Sequence, residues 1–208
     1  MAFSFRRLGV LAAVMTMAAQ SPAWAHHVMG GELPKTFLQG LLSGFGHPVI
    51  GVDHLAAIVG VGILAALVGR SATVVLAFSI AVIAGVGLHL TKVNLPASEL
   101  FVGLTTLLIG ALVILRQSMS AGRAAVLFAV AGLVHGYALG ESIVGAEASP
   151  LVAYLLGLLI MQTAIGVVVY AAVRSLARWP ARTTGLTVAG LLVALAGGIA
   201  TAAAAGLA

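Results

Sequence analysis

Three groups of imidazole and carboxylate side chains interrupt a chain that is otherwise almost entirely apolar. The first is His47-Pro48-Val49-Ile50-Gly51-Val52-Asp53-His54. The second is His135-Gly136-Tyr137-Ala138-Leu139-Gly140-Glu141, and the third is the pair His26-His27. Imidazole nitrogens and carboxylate oxygens bind divalent transition metals, and both residue types also carry protons. Such groups are expensive inside an apolar segment and mark an ion path or a proton relay when they occur there.

Spacing sharpens the chemistry. Pro48 suits the first position of a helix, which puts His47 at its cap or just before it. His47 and His54 are then two helical turns apart on nearly the same face, with Asp53 about 100° round from His54. Asp53 either ligates a metal or accepts an imidazole N–H and sets its tautomer. The bland alternative is a satisfied polar pair that ties helices together. In the second group, Gly136 and Gly140 form a small-residue face that lets another helix approach His135. Glu141 is either an interfacial charge or a charge-compensating or proton-coupling group, and Tyr137 is an interface or packing aromatic. At His26-His27, a free amine, an imidazole and an amide nitrogen would together suit square-planar Ni(II) or Cu(II). A disordered polar end is the alternative there.

The elements that must hold these residues follow from composition. The 208 residues are 62% hydrophobic and 7% charged, with a mean hydropathy of +1.19. A water-soluble surface needs more charge than that. The expected fold is an all-α polytopic membrane protein. Residues 1–25 read as a cleavable signal peptide: Arg6-Arg7, an apolar stretch over residues 8–19, then Ala23-Trp24-Ala25. Residues 26–208 are expected to form a single transmembrane domain, with the mature N-terminus in the periplasm. About six apolar runs are long enough to span a ~30 Å core: 48–69, 73–90, 99–115, 124–141, 151–173 and 184–205. Residues 36–44 add a short helix ahead of the first.

With that topology Arg70, Arg116, Arg123, Arg174, Arg178 and Arg182 all fall inside, and only Lys35 and Lys92 fall outside, a strong positive-inside bias. Every acid and every histidine, His89 included, falls on the outer side. The net charge of +5 is therefore a topology signal and predicts no nucleic-acid partner. The lipid bilayer and a divalent transition-metal ion are the expected partners, with a homo-oligomer open. His89 reads as a hydrogen-bonded or snorkelling side chain. Glu99 complements a helix dipole. Gln162 and Thr163, in mid-membrane, are expected to make interhelical hydrogen bonds.

The 0 Cys exclude thiolate metal sites, Fe–S clusters and disulfides. No phosphate-binding loop, H-E-x-x-H or G-x-S-x-G is present, so no ATP hydrolysis by that route and no enzyme activity is expected. No resident cofactor is expected, the metal being cargo.

At these residues the chain resembles the HupE/UreJ family of nickel and cobalt permeases. The family pattern H-x5-D-H is met by His47, Asp53 and His54. A second pattern, F-H-G-x-A-x-G-x-E-like, is followed by residues 134–140, with Val134 in place of Phe and Glu141 one position early. The stretch from His26 to Pro34 is also similar to the N-terminus of the CbiM/NikM metal-capture proteins, with His27 at the metal-binding second position. The resemblance implies a secondary transporter importing Ni²⁺ or Co²⁺ across a bacterial inner membrane through an outward-facing site. Its residues would be His47, Asp53, His54, His135 and Glu141, with His26 and His27 as a capture element. The alternatives are a b-type haem protein with histidine axial ligands, a membrane metalloenzyme, or a metal sensor.

Overall fold

A computed structural model describes residues 32–69 and 72–207. The leader, His26, His27 and Arg70 lie outside the described residues. Those described form helices and turns, with no strand among them. In chain order they are α1 (Phe37–Ile50), α2 (Val52–Leu67), α3 (Thr73–Leu90), α4 (Ser98–Ile114), α5 (Ala121–Gly140), α6 (Ala148–Ser175) and α7 (Arg182–Ala204).

Local signals start several of these helices. Thr36 and Gln39 form a capping box: the Thr36 hydroxyl accepts from the Gln39 N–H at 3.2 Å and the Gln39 side chain accepts from the Thr36 N–H at 3.2 Å. These bonds satisfy N–H groups that a helix start otherwise leaves open. Ser120 caps α5 in the same way, accepting from Arg123 N–H at 3.3 Å.

Each of the six apolar runs is helical, but they are not equal. Four segments are long and apolar enough to cross a membrane: α3, α5 with its trailing turn to Ile143, α6 with its turn to Arg178, and α7. Helices α1 and α2 make a fifth if taken as one broken span, bent by 79°. At 17 residues α4 is a shorter apolar helix, about 25 Å long at the usual rise per residue. Large apolar side chains such as Ile80, Val126, Val130, Ile160, Val168 and Leu192 face outward on these helices, the surface a lipid-embedded bundle presents.

The first run corrects an expectation. The chain does not begin a helix at Pro48. Instead α1 runs through Pro48 and breaks at Gly51, whose N–H donates to the His47 carbonyl at 3.2 Å and whose carbonyl accepts from Leu55 N–H at 2.8 Å. Pro48 costs α1 one hydrogen bond only two residues before its end, where the ladder is already running out. His47 therefore lies in the last turn of α1, not at the cap of α2. His47 and His54 stand on two helices, not on one face of a single helix.

Glycines bring the backbones together. A Cβ on Gly136 would run into the Val82 carbonyl, and one on Gly132 into that of Phe78, so α3 and α5 lie side by side in the same direction. Gly140 packs on His89. Gly103, Gly110, Gly190 and Gly197 do the same for the antiparallel pair α4 and α7, and Gly40, Gly44 and Gly157 join α1 to α6. Small residues drive this contact because lipid offers no hydrophobic gain to helix association. The resulting bundle has two unlike ends. Arg116, Arg123, Arg174, Arg178 and Arg182 sit at or beyond helix ends on one side. His89, Glu99, Glu141 and Glu147 lie at helix ends on the other.

Candidate functional site

The histidine end encloses two buried imidazole clusters. His54, in the first turn of α2, and His135, one and a half turns before the end of α5, are 5% and 1% exposed. Their Nδ1 atoms are 2.8 Å apart and their rings are edge-on, with centroids 4.9 Å apart. The Phe78 ring of α3 stands edge-on to His135 at 5.7 Å. His135 therefore meets His54 of the first motif directly.

The other nitrogen of His135 determines how the pair is protonated. Its Nε2 meets Thr105 Oγ1 at 3.3 Å and Thr106 Oγ1 at 3.4 Å. Each hydroxyl also has a helix carbonyl to donate to, Thr105 that of Phe101 at 2.8 Å and Thr106 that of Val102 at 2.9 Å. With those bonds made, the hydroxyl oxygens accept from His135, and the hydrogen is assigned to its Nε2. Its Nδ1 then holds a lone pair, and the proton between the two rings belongs to His54 Nδ1. In this tautomer His54 Nε2 is also a lone pair. The assignment follows from hydrogen-bond bookkeeping.

His47, 3% exposed, belongs to the second cluster. Its Nδ1 lies 3.3 Å from Ser142 Oγ and 3.4 Å from the Tyr154 hydroxyl. Both hydroxyls also reach the Leu139 carbonyl, at 3.0 and 2.9 Å. His47 is thereby fastened to the end of α5 and the start of α6. Asp53 is half-buried in the first turn of α2, and its Oδ1 accepts from the His54 N–H at 2.8 Å. A carboxylate there complements the helix dipole and fixes the backbone that carries His54. The break at Gly51 serves the same end, since a Cβ on Gly51 would lie 2.7 Å from His54 Cδ2.

Glu141 is exposed at the end of α5, where it opens a 3-10 turn over Glu141–Ile143. Glu99 is exposed in the first turn of α4. The His89 ring lies against Tyr137, tilted by 53° with ring centroids 4.5 Å apart. The Tyr137 hydroxyl donates to the Val93 carbonyl at 2.7 Å and accepts from Leu95 N–H at 2.9 Å, so this aromatic ties down the loop between α3 and α4. Among the described residues, no three His, Asp or Glu side chains converge closely enough to hold one metal ion. What is assembled is a two-imidazole pair with hydroxyl support, beneath a mouth that carries the acids.

Sequence reasoning passed over Phe78, Thr105, Thr106, Ser142 and Tyr154. Only Thr105-Thr106 left a trace, as adjacent hydroxyls in an apolar run. The expectation for Gln162 and Thr163 is corrected: Gln162 Oε1 and Thr163 Oγ1 are buried without hydrogen-bond partners.

Fold and surface define an all-helical, multi-span membrane protein with buried imidazoles near one end. The chain belongs to the HupE/UreJ family, whose model, described as HupE / UreJ protein, matches residues 13–200. The Protein HupE of Rhizobium leguminosarum bv. viciae is 32% identical over 128 residues, which cover 60% of this chain and 64% of that relative. The chain thus aligns with less than two thirds of the relative's length. No solved structure matches it.

Proposed function

We propose that the protein is a secondary transporter that imports Ni²⁺, or Co²⁺, across a bacterial inner membrane, with its histidine end facing the periplasm. It is not an enzyme in this reading. The observation that carries the reading is the buried His54–His135 pair, two neutral nitrogen donors held by three different helices just inside a polar mouth. Nitrogen donors without thiolate suit Ni²⁺ and Co²⁺. A cation arriving between the two Nδ1 atoms takes the lone pair of His135, and His54 offers its own Nδ1 lone pair once its single ring hydrogen moves from Nδ1 to Nε2, so both donors bind as neutral imidazoles. Asp53, His47 and the exposed Glu141 concentrate cations at the mouth, and His26 and His27 act as the capture element ahead of it. Two buried nitrogens are fewer ligands than a structural site uses, which favours release. The haem alternative gains nothing from this arrangement, because rings in direct contact leave no slot for a macrocycle.

Uptake of radioactive nickel and cobalt into cells expressing the full chain tests the proposal. Accumulation above an empty-vector control, competed by the other ion, is expected. No accumulation of either ion removes the reading.

Thr105 and Thr106 hold the tautomer that aims His135 Nδ1 at the cargo. Replacing both with Val keeps their shape but leaves the Nε2–H of His135 without an acceptor. The expected result is a half-saturation concentration raised about tenfold, within the range seen for loss of outer-shell partners. Thr105→Ser with Thr106→Ser restores it. An unchanged half-saturation concentration in the Val variant would show that the hydroxyls do not set the tautomer.

A further inference from the structure

The middle of the bundle holds oxygen atoms that the packing does not use. Helices α2, α3 and α6 meet where Gly62 faces the Gly166 carbonyl and Gly166 faces Val75; Cβ atoms there would lie 2.7 Å from that oxygen and 2.5 Å from Val75 Cγ1. One helical turn from this junction toward the histidine end, α3 carries Ser79 and α6 carries Gln162. They are 0% and 1% exposed. Ser79 Oγ and Gln162 Oε1 have no hydrogen-bond partner, and neither does Thr163 Oγ1, on the next residue of α6. Phe78, the neighbour of Ser79, has its ring against His135. The orphaned oxygens therefore come next after the imidazole pair on the way to the arginine end.

Orphans of this kind are costly. A helical Ser ordinarily bonds back to the carbonyl one turn earlier, and a Gln in a membrane bundle ordinarily finds a partner on another helix. Leaving a buried acceptor unpaired carries the full desolvation cost of that group. Ala and Leu at these positions would avoid that cost. Polar groups held unsatisfied at mid-membrane are those that a passing ligand satisfies. The donors here are neutral oxygens, with no charge and no nitrogen lone pair among them. Such donors suit a divalent cation that keeps part of its water shell, and they hold a late first-row metal more weakly than imidazole does. A cargo that moves from imidazole nitrogens to neutral oxygens moves toward release, which a conducting pathway requires.

We propose that Ser79 and Gln162 form a second station for the cargo cation, an oxygen-donor site one step beyond the His54–His135 pair. The proposal rests on the transport reading above. The station would take the cation where α3 and α6 pack, one turn from their junction with α2.

Two readings on the full chain test it. Cobalt absorption of the purified protein reports binding at the imidazole pair, and uptake of radioactive nickel into proteoliposomes reports passage. Gln162→Leu is expected to leave the cobalt spectrum and its titration unchanged while the maximal uptake rate falls about tenfold. Ser79→Ala removes one oxygen and almost no packing; it is expected to lower that rate about threefold with an unchanged half-saturation concentration. Gln162→Asn, which retains an amide oxygen, recovers more of the rate than Gln162→Leu. Wild-type rates in both Ser79→Ala and Gln162→Leu overturn the second station, as does a rate loss accompanied by loss of the cobalt spectrum. The wild-type chain separates the two hypotheses: if it neither binds cobalt nor takes up nickel, the transport reading itself is overturned.

Discussion

His135→Ala is expected to reduce nickel and cobalt uptake about a hundredfold or more, beyond the 10- to 100-fold typical of losing only an outer-shell partner. Three losses coincide at this one position. The Nδ1 lone pair that faces His54 across 2.8 Å is gone. His54 Nδ1–H is left without its acceptor inside the bundle. Thr105 and Thr106 lose the ring that their oxygens orient. His54→Ala should act as strongly, and the double variant should be little worse than either single one, because residues that act as a unit are not additive. Initial uptake at low metal concentration, normalised to protein in the membrane fraction, checks this. Two single effects that multiply in the double variant would mean that the imidazoles serve separate sites.

Gly136→Val is expected to lower the apparent melting temperature of the detergent-purified protein far more than any lipid-facing glycine substitution. A Cβ at Gly136 collides with the backbone carbonyl of Val82, and a backbone has no rotamer with which to yield. Helices α3 and α5 must part, at a cost of about 1–3 kcal/mol or more. The parting also draws Phe78 away from His135, so uptake falls with stability. Gly198→Ala is the contrast: nothing lies within 4 Å of its added Cβ, and removing a helical glycine gains about 0.5–1 kcal/mol. Thermal unfolding followed by intrinsic fluorescence compares the two. Equal melting temperatures would mean that the α3–α5 contact does not limit stability.

The two variants probe features of different legibility. That α3 to α7 are helices, and where they end, was readable to within a few residues, because long apolar runs between Gly, Pro and charged turns leave the backbone no other way to satisfy its polar groups in lipid. The small-residue face at Gly136 and Gly140 was readable as well, since only small side chains permit such contact. The break at Gly51 was not. Proline favours a helix start but is tolerated near a helix end, so Pro48 alone does not locate the boundary, which falls at Gly51 and leaves His47 in the last turn of α1 rather than at the cap of α2. Gln162 and Thr163 misled for a related reason. Sequence shows that a polar group is present, not whether a partner stands opposite it.

The sequence by itself determined the class of fold, the segregation of arginines from histidines and acids, the family, and His47, Asp53, His54, His135 and Glu141, with His26 and His27, as the residues to examine. Each of these depends on composition or on spacing within one segment. Only the tertiary structure decided that the two imidazoles meet nitrogen to nitrogen, that Thr105 and Thr106 stand at the far nitrogen of His135, that Glu141 stays at the exposed rim, and that Ser79 Oγ and Gln162 Oε1 are left unpaired beneath them. Those facts depend on how α2, α3, α4, α5 and α6 are turned about their own axes. Near-uniform apolar helices carry little periodicity to specify that rotation, so it is set by glycine contacts between helices distant in the chain.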